Sequence, residues 1–187
     1  MFWLAAVTLL NDATVTGYVE RLCHRLAPEV SIAVTVDTAA RAAARYGDGI
    51  RISTAMISGA RNEAELAGIL AHEIAHYRSD AASAPLGDDG GGLCLRFAGK
   101  EPKFATARQW EMDADQAAIA MLTRTGYDPA AMLRYFSALR HSDRELPQSF
   151  SAEDILIERL QLEATDHPMK DPVEDSPEFQ AIRARLQ

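Results

Sequence analysis

The run "ILAHEIAHYRSD" at residues 69–80 constrains this chain more than any other stretch. Two histidines, His72 and His76, stand four residues apart, with Glu73 directly after the first. In a helix, residues i and i+4 lie one turn apart on one face, so both imidazoles can be offered to a single point. Glu73 is turned by about 100° from His72 around the axis, and so flanks that point. The chain holds five histidines in 187 residues, and at such a composition the HExxH spacing arises by chance in roughly one chain in a hundred.

The surrounding pattern is helical from Asn62 to about Ser79. Asn62 can cap the helix, and Glu63 and Glu65 complement the positive end of its dipole. Leu66, Leu70, Ile74 and Tyr77 share one side, with Gly68, His72 and His76 roughly opposite. That distribution predicts an internal helix bordering a cleft.

Zinc takes N, O and S ligands in a tetrahedron, and a hydrolytic zinc needs three protein ligands plus an open position for water. The segment "WEMDADQAAIAML" at 110–122 offers the missing donor. Glu111 and Asp115 lie one turn apart on a face shared with Ala118 and Leu122, whereas Asp113 is turned about 200° away and reads as solvated. Spacing therefore nominates Glu111 as ligand and Asp115 as acceptor for a histidine N–H. The small Ala114, Ala117 and Ala118 would let this helix approach the first one closely.

The rest of the chain organises around these two helices. Val15, Val19, Leu22 and Leu26 mark a helix over 12–27, and the alternating "VSIAVTV" a strand over 30–36. "YGDGIRIST" reads as a turn into a second strand at Ile50 and Ile52, in the manner of a hairpin. Between them, "DTAARAAAR" has helical propensity. The glycine-rich 80–104 lacks the ending of a phosphate loop and reads as a surface connection. Helices are predicted near 105–125, 129–141, 151–164 and 177–186. Asp128 and Pro129 start the second of these.

Composition narrows the partners. A net charge of −8 argues against a nucleic-acid surface. The apolar "MFWLAAVTLL" has ten residues where a spanning helix needs about 20, so no transmembrane segment is expected. It reads as an element packed on the core or as the remnant of an export signal, and the chain as soluble. Cys23 and Cys94 form no metal-ligand cluster and fit one disulfide or two buried thiols. Trp3 and Trp110 read as core anchors.

HEIAH at 72–76, EMDAD at 111–115 and GYDP at 126–129, together with "YGDGIRIST" and "NEAELAGILAHEIAH", resemble the gluzincin metallopeptidases of the HtpX-like and CAAX prenyl endopeptidase type. The likeness covers roughly residues 18–160, and the soluble minigluzincins are similar in size. The resemblance implies one zinc per chain held by His72, His76 and Glu111, with Glu73 as general base and acid and Asp115 orienting His72. Family members often carry a histidine-proline pair before an ER[IL] motif. Here Glu158-Arg159-Leu160 fits that motif, but Glu153 and Asp154 stand where the pair would fall, and His167-Pro168 comes later. The group that would stabilise the transition state is left open among His141, His167, Arg159 and Tyr127, with Tyr127 also readable as a packing residue.

The expected architecture is one α+β domain over 1–187: a small, mostly antiparallel sheet, the HExxH helix and a helical C-terminal half. The expected function is a zinc-dependent endopeptidase acting on a peptide or protein, its strand ending near Thr54 offering an edge to extended substrate. The alternative is a latent or non-catalytic zinc or peptide-binding module, with the tail at about 165–187 lying in the cleft. A di-iron carboxylate centre would need a second ExxH, which this chain lacks.

Overall fold

The computed structural model describes residues 9–38, 44–46, 49–78, 104–142 and 169–187, with backbone alone at 44–46, 104–111 and 139–142. The element order is α1 (Ala13–Leu26), β1 (Ala33–Asp37), β2 (Ala44–Tyr46), β3 (Gly49–Ser53), α2 (Thr54–Gly59), α3 (Glu63–Arg78), α4 (Phe104–Thr125), α5 (Ala130–Ser142) and α6 (Pro177–Leu186). Helices thus make up the C-terminal half and a small sheet lies in the N-terminal half. The helix expected over 151–164, the glycine-rich 80–103, Trp3, Cys94 and the side chain of Trp110 lie outside the described residues.

Local chemistry accounts for the helix ends. Asp12 caps α1 by accepting from the backbone N–H groups of Thr14 and Val15, and Val15, Val19, Leu22 and Leu26 are all buried. Cys23, on the same helix, is a buried free thiol whose pKa desolvation pushes up to about 12. Asn62 Oδ1 accepts from Glu65 N at 3.0 Å at the start of α3. Helix α4 stops at Gly126, whose φ of +86° is the left-handed turn that a glycine tolerates. There Tyr127 N donates to Leu122 O at 2.9 Å and Gly126 N to Thr123 O at 3.2 Å. Asp128 then caps α5 through Ala130 N at 2.9 Å. The stop and restart turn Tyr127 inward, where it is fully buried.

The sheet departs from the expected hairpin. Its order is β1-β3-β2, with β1 parallel to β3 and β2 antiparallel to β3. It is therefore mixed. Leu9 bridges Asp37 in the antiparallel sense, and Leu10 N donates to Val36 O at 2.8 Å, so the end of the N-terminal apolar run borders β1. The physical reason is chain order. The alanine-rich segment supplies β2 as strand, and the short glycine-flanked return then lays β3 between its predecessors. The strand ending near Thr54 is consequently central, paired with β1 along its whole length and with β2 over residues 49–51.

Helix α3 is buried from Glu63 through Ala75, with His76 and Tyr77 half-buried and Arg78 exposed. It packs most extensively on α4 and α5, and also meets α1, β2 and β3. The expected division into an apolar side and a cleft side is absent over most of its length. Gly68 shows why: a Cβ there would stand 2.7 Å from Met132 Cβ and 2.9 Å from its Cα, so α5 lies directly on this turn. The helix opens only at its C-terminal end. Burying Ile69, Leu70 and Ile74 contributes about 1.5–3 kcal/mol each, so the segment that carries His72 and His76 is also a core segment.

Candidate functional site

The C-terminal turns of α3 bring His72, Glu73 and His76 to the place where that helix emerges. His72 Nε2 and His76 Nε2 stand 3.1 Å apart, with ring centroids at 4.6 Å and planes crossed at 82°. His72 is 3% exposed and Glu73 1%. From α4, Asp115 Oδ1 lies 2.8 Å from His72 Nδ1, with Asp115 itself 2% exposed. An ionised carboxylate only accepts, so Nδ1 carries the proton and Nε2 presents its lone pair. From α5, the ring of Phe136 meets the His72 ring edge-to-face at 5.8 Å and 71°.

Two ring nitrogens held this close share either a proton or a cation. Zinc–nitrogen bonds of 2.0–2.1 Å in a tetrahedron place two nitrogens roughly 3.3 Å apart, and the observed 3.1 Å suits that donor set. Glu111 stands one turn before Asp115 on the backbone of α4, and its side chain lies outside what the structure describes. Among the described residues no three ligand-type side chains gather closely enough to hold a metal.

The four candidates for transition-state stabilisation separate. Arg159, His167 and the side chain of His141 lie outside the described residues. Tyr127 is not brought to the histidines. Its hydroxyl donates to Glu63 Oε1 at 2.5 Å and accepts from Arg25 Nη1 at 2.5 Å. Glu63 opens α3, and thirteen residues at 1.5 Å rise put His76 about 20 Å further along the axis. Asp113 is exposed, as is Ala117, while Ala114 and Ala118 are buried against the neighbouring helices.

Sequence reasoning missed the role of Glu63. Read there as a dipole partner, it is 1% exposed and gathers Tyr18 Oη at 2.9 Å, Arg25 Nη1 at 2.9 Å, Tyr127 and the hydroxyl of Ser176. Burial pushes its carboxyl upward in pKa, but hydrogen bonds from Ser176, Tyr127 and Tyr18 and the charge of Arg25 outweigh this and hold it below the ordinary value. Both tyrosines are raised, by desolvation first and by Glu63 second. The tail docks on this same end. Glu63 N donates to Asp175 Oδ1 and Ala64 N to Glu174 O, while Phe179 and Ile182 of α6 are buried. Helix α6 packs on α1 and α2, away from the His72–His76 turn.

Residues 15–99 match the model of peptidase family M48. The chain thus resembles peptidase family M48 over slightly less than half of its length. It is homologous to the beta-barrel assembly-enhancing protease of Escherichia coli strain K12, with 29% identity over 176 residues, 73% of this chain and 36% of that protein. It is likewise 28% identical to the beta-barrel assembly-enhancing protease of Yersinia pestis over 173 residues, 75% of this chain and 36% of the relative. The chain thus spans about a third of the length of the curated relatives it matches. The M48 match includes HEIAH and ends before Glu111 and Asp115. No described helix is long and apolar enough to cross a membrane.

Proposed function

We propose that this chain is a zinc-dependent endopeptidase with a zincin-like fold, and that the M48 domain performs the hydrolysis. One observation carries the reading: two Nε2 atoms 3.1 Å apart on a helix within that domain, one of them oriented by a buried carboxylate.

His72, His76 and Glu111 would hold the zinc. When bound, the metal supplies a Lewis acid and a water of lowered pKa. Glu73, one residue from His72 and buried beside it, accepts a proton from the attacking water on a carboxylate oxygen and returns it to the leaving amine nitrogen. Asp115 accepts from His72 Nδ1, which leaves Nε2 as the donor atom toward the metal. Burial of His72 and Glu73 excludes competing water from these groups. The substrate is a protein, and the relatives' names direct the search toward polypeptides engaged in beta-barrel assembly.

Zinc content by mass spectrometry, on wild type and Glu111→Ala, paired with casein cleavage, tests the reading. One zinc per chain, lost or weakened in Glu111→Ala, with casein cleaved by the wild type, is expected. Wild type prepared without chelators and holding no zinc would overturn it.

A further inference from the structure

We infer that Phe136 is a positioning residue for His72, fixing the plane of its imidazole so that Nδ1 reaches Asp115 and Nε2 faces His76. The inference rests on the zinc-peptidase reading for its consequence, but its geometry is independent of any metal. Helices α3 and α5 meet in matched register. Met132 lies against Gly68, closely enough that a Cβ at Gly68 would stand 2.7 Å from Met132 Cβ. One turn further along both helices, Phe136 meets His72. Each step is four residues on its own helix, so the close approach permitted at Gly68 delivers the aromatic ring to the ligand ring.

The hydrogen bond to Asp115 restrains the imidazole at Nδ1, within the plane of the ring, and small coupled rotations of the side-chain torsions still tilt that plane. Contacts to the ring faces and edges limit that tilt. Phe136 supplies one such contact at 5.8 Å and 71°, inside the separation range where edge-to-face aromatic pairs attract. The ring is itself restrained: Phe136 is half-buried and lies 6.3 Å from the ring of Tyr135. Leucine or methionine fills comparable space without a ring edge or face, whereas tyrosine retains both.

The test uses the full chain with Phe136→Leu, Phe136→Met and Phe136→Tyr. In zinc-free protein, the solvent exchange of the His72 Nδ1 proton is followed by long-range proton–nitrogen NMR. Zinc affinity is then measured by competition with a chelator. Phe136→Leu and Phe136→Met are expected to speed exchange and weaken zinc binding by about three- to tenfold, the size of one aromatic pair contact. Phe136→Tyr is expected to restore both. Unchanged exchange in the Leu and Met variants, or failure of Phe136→Tyr to restore it, would overturn the inference. A wild type that binds no zinc would sink the peptidase reading alone, because the exchange measurement is made without metal.

Discussion

At the first turn of α3, one buried carboxylate collects three hydroxyls and a guanidinium. At its last full turns, two like nitrogens face each other 3.1 Å apart. The first arrangement satisfies Glu63 and closes the structure, tying α1, the α4–α5 junction and the tail to the helix start. The second leaves a donor pair aimed at a common point where the helix emerges. Asp115 shows the same asymmetry in small. Its Oδ1 holds His72, whereas its Oδ2 is buried with no hydrogen-bond partner among the described residues. One helix therefore carries a stability centre and the proposed reactive centre about 20 Å apart, and the two should fail differently when altered.

The sharpest way to break the comparison is at the reactive end. Glu73→Gln keeps size and packing but removes the proposed proton acceptor. Casein cleavage is expected to fall by about 10²–10⁴-fold, with zinc content and melting temperature unchanged. Wild-type turnover in this variant would show that another group takes the proton, and the division of labour along α3 would need redrawing.

At the stability end the opposite pattern is expected. Glu63→Ala leaves the hydroxyls of Tyr18 and Tyr127 buried without their acceptor and removes the side-chain contact to Ser176 of the tail. The loss should be about 3 kcal/mol, lowering the melting temperature by about 6–12 °C for a chain of this size. Zinc content per folded chain should be retained. Loss of zinc at a temperature where the variant is still folded would mean that the two ends are coupled.

Gly68 lies between them and tests whether the helix transmits strain. Gly68→Ala places a methyl against Met132 Cα, a backbone atom of α5, and Cβ, whose position that backbone fixes, so neither can swing aside. Overpacking of this kind costs about 1–3 kcal/mol. Because the displaced helix carries Phe136, zinc affinity should fall together with stability, unlike in either end variant. A drop in melting temperature with zinc affinity intact would confine the effect to packing.

How much of this was legible depends on whether the signal was local. The α1 face could be read from Val15, Val19, Leu22 and Leu26, because 3.6-residue periodicity is a property of one segment. The α3 start could be read from Asn62, and the α5 start from Asp128, by their cap chemistry. What failed was pairing between segments. Strands Ala33–Asp37 and Gly49–Ser53 looked like consecutive partners of a hairpin, yet they run parallel with β2 on the far side of β3. Nothing within either strand encodes that order. Glu63 was misjudged for a related reason: a glutamate in a first turn suits the dipole equally well exposed or buried. Phe136 gave no signal at all, since its meaning depends on which helix packs against α3. At the site, the i,i+4 spacing of His72 and His76 was plain, while the plane of each ring belongs to neighbours distant in sequence.

The smallest expected effect is also the most specific to the stability end. The carboxyl of Glu63 is held below its ordinary value of 4.5 in the folded chain. A depressed folded pKa means that the unfolded chain takes up the proton first as pH falls. The stabilisation is therefore complete above about pH 4.5, the unfolded value, and is lost as pH drops through the lower folded value. Urea midpoints for wild type and Glu63→Gln should differ most at neutral pH and converge toward the acid end, because glutamine cannot titrate. Taking the difference between the two proteins removes the contribution of other carboxylates, such as Asp12, which Arg185 holds low. Midpoints that stay a constant distance apart from pH 7 to pH 3 would mean that the hydrogen-bonding shape of residue 63, rather than its charge, clamps the tail, and Arg25 would then be a bystander at that end of the helix.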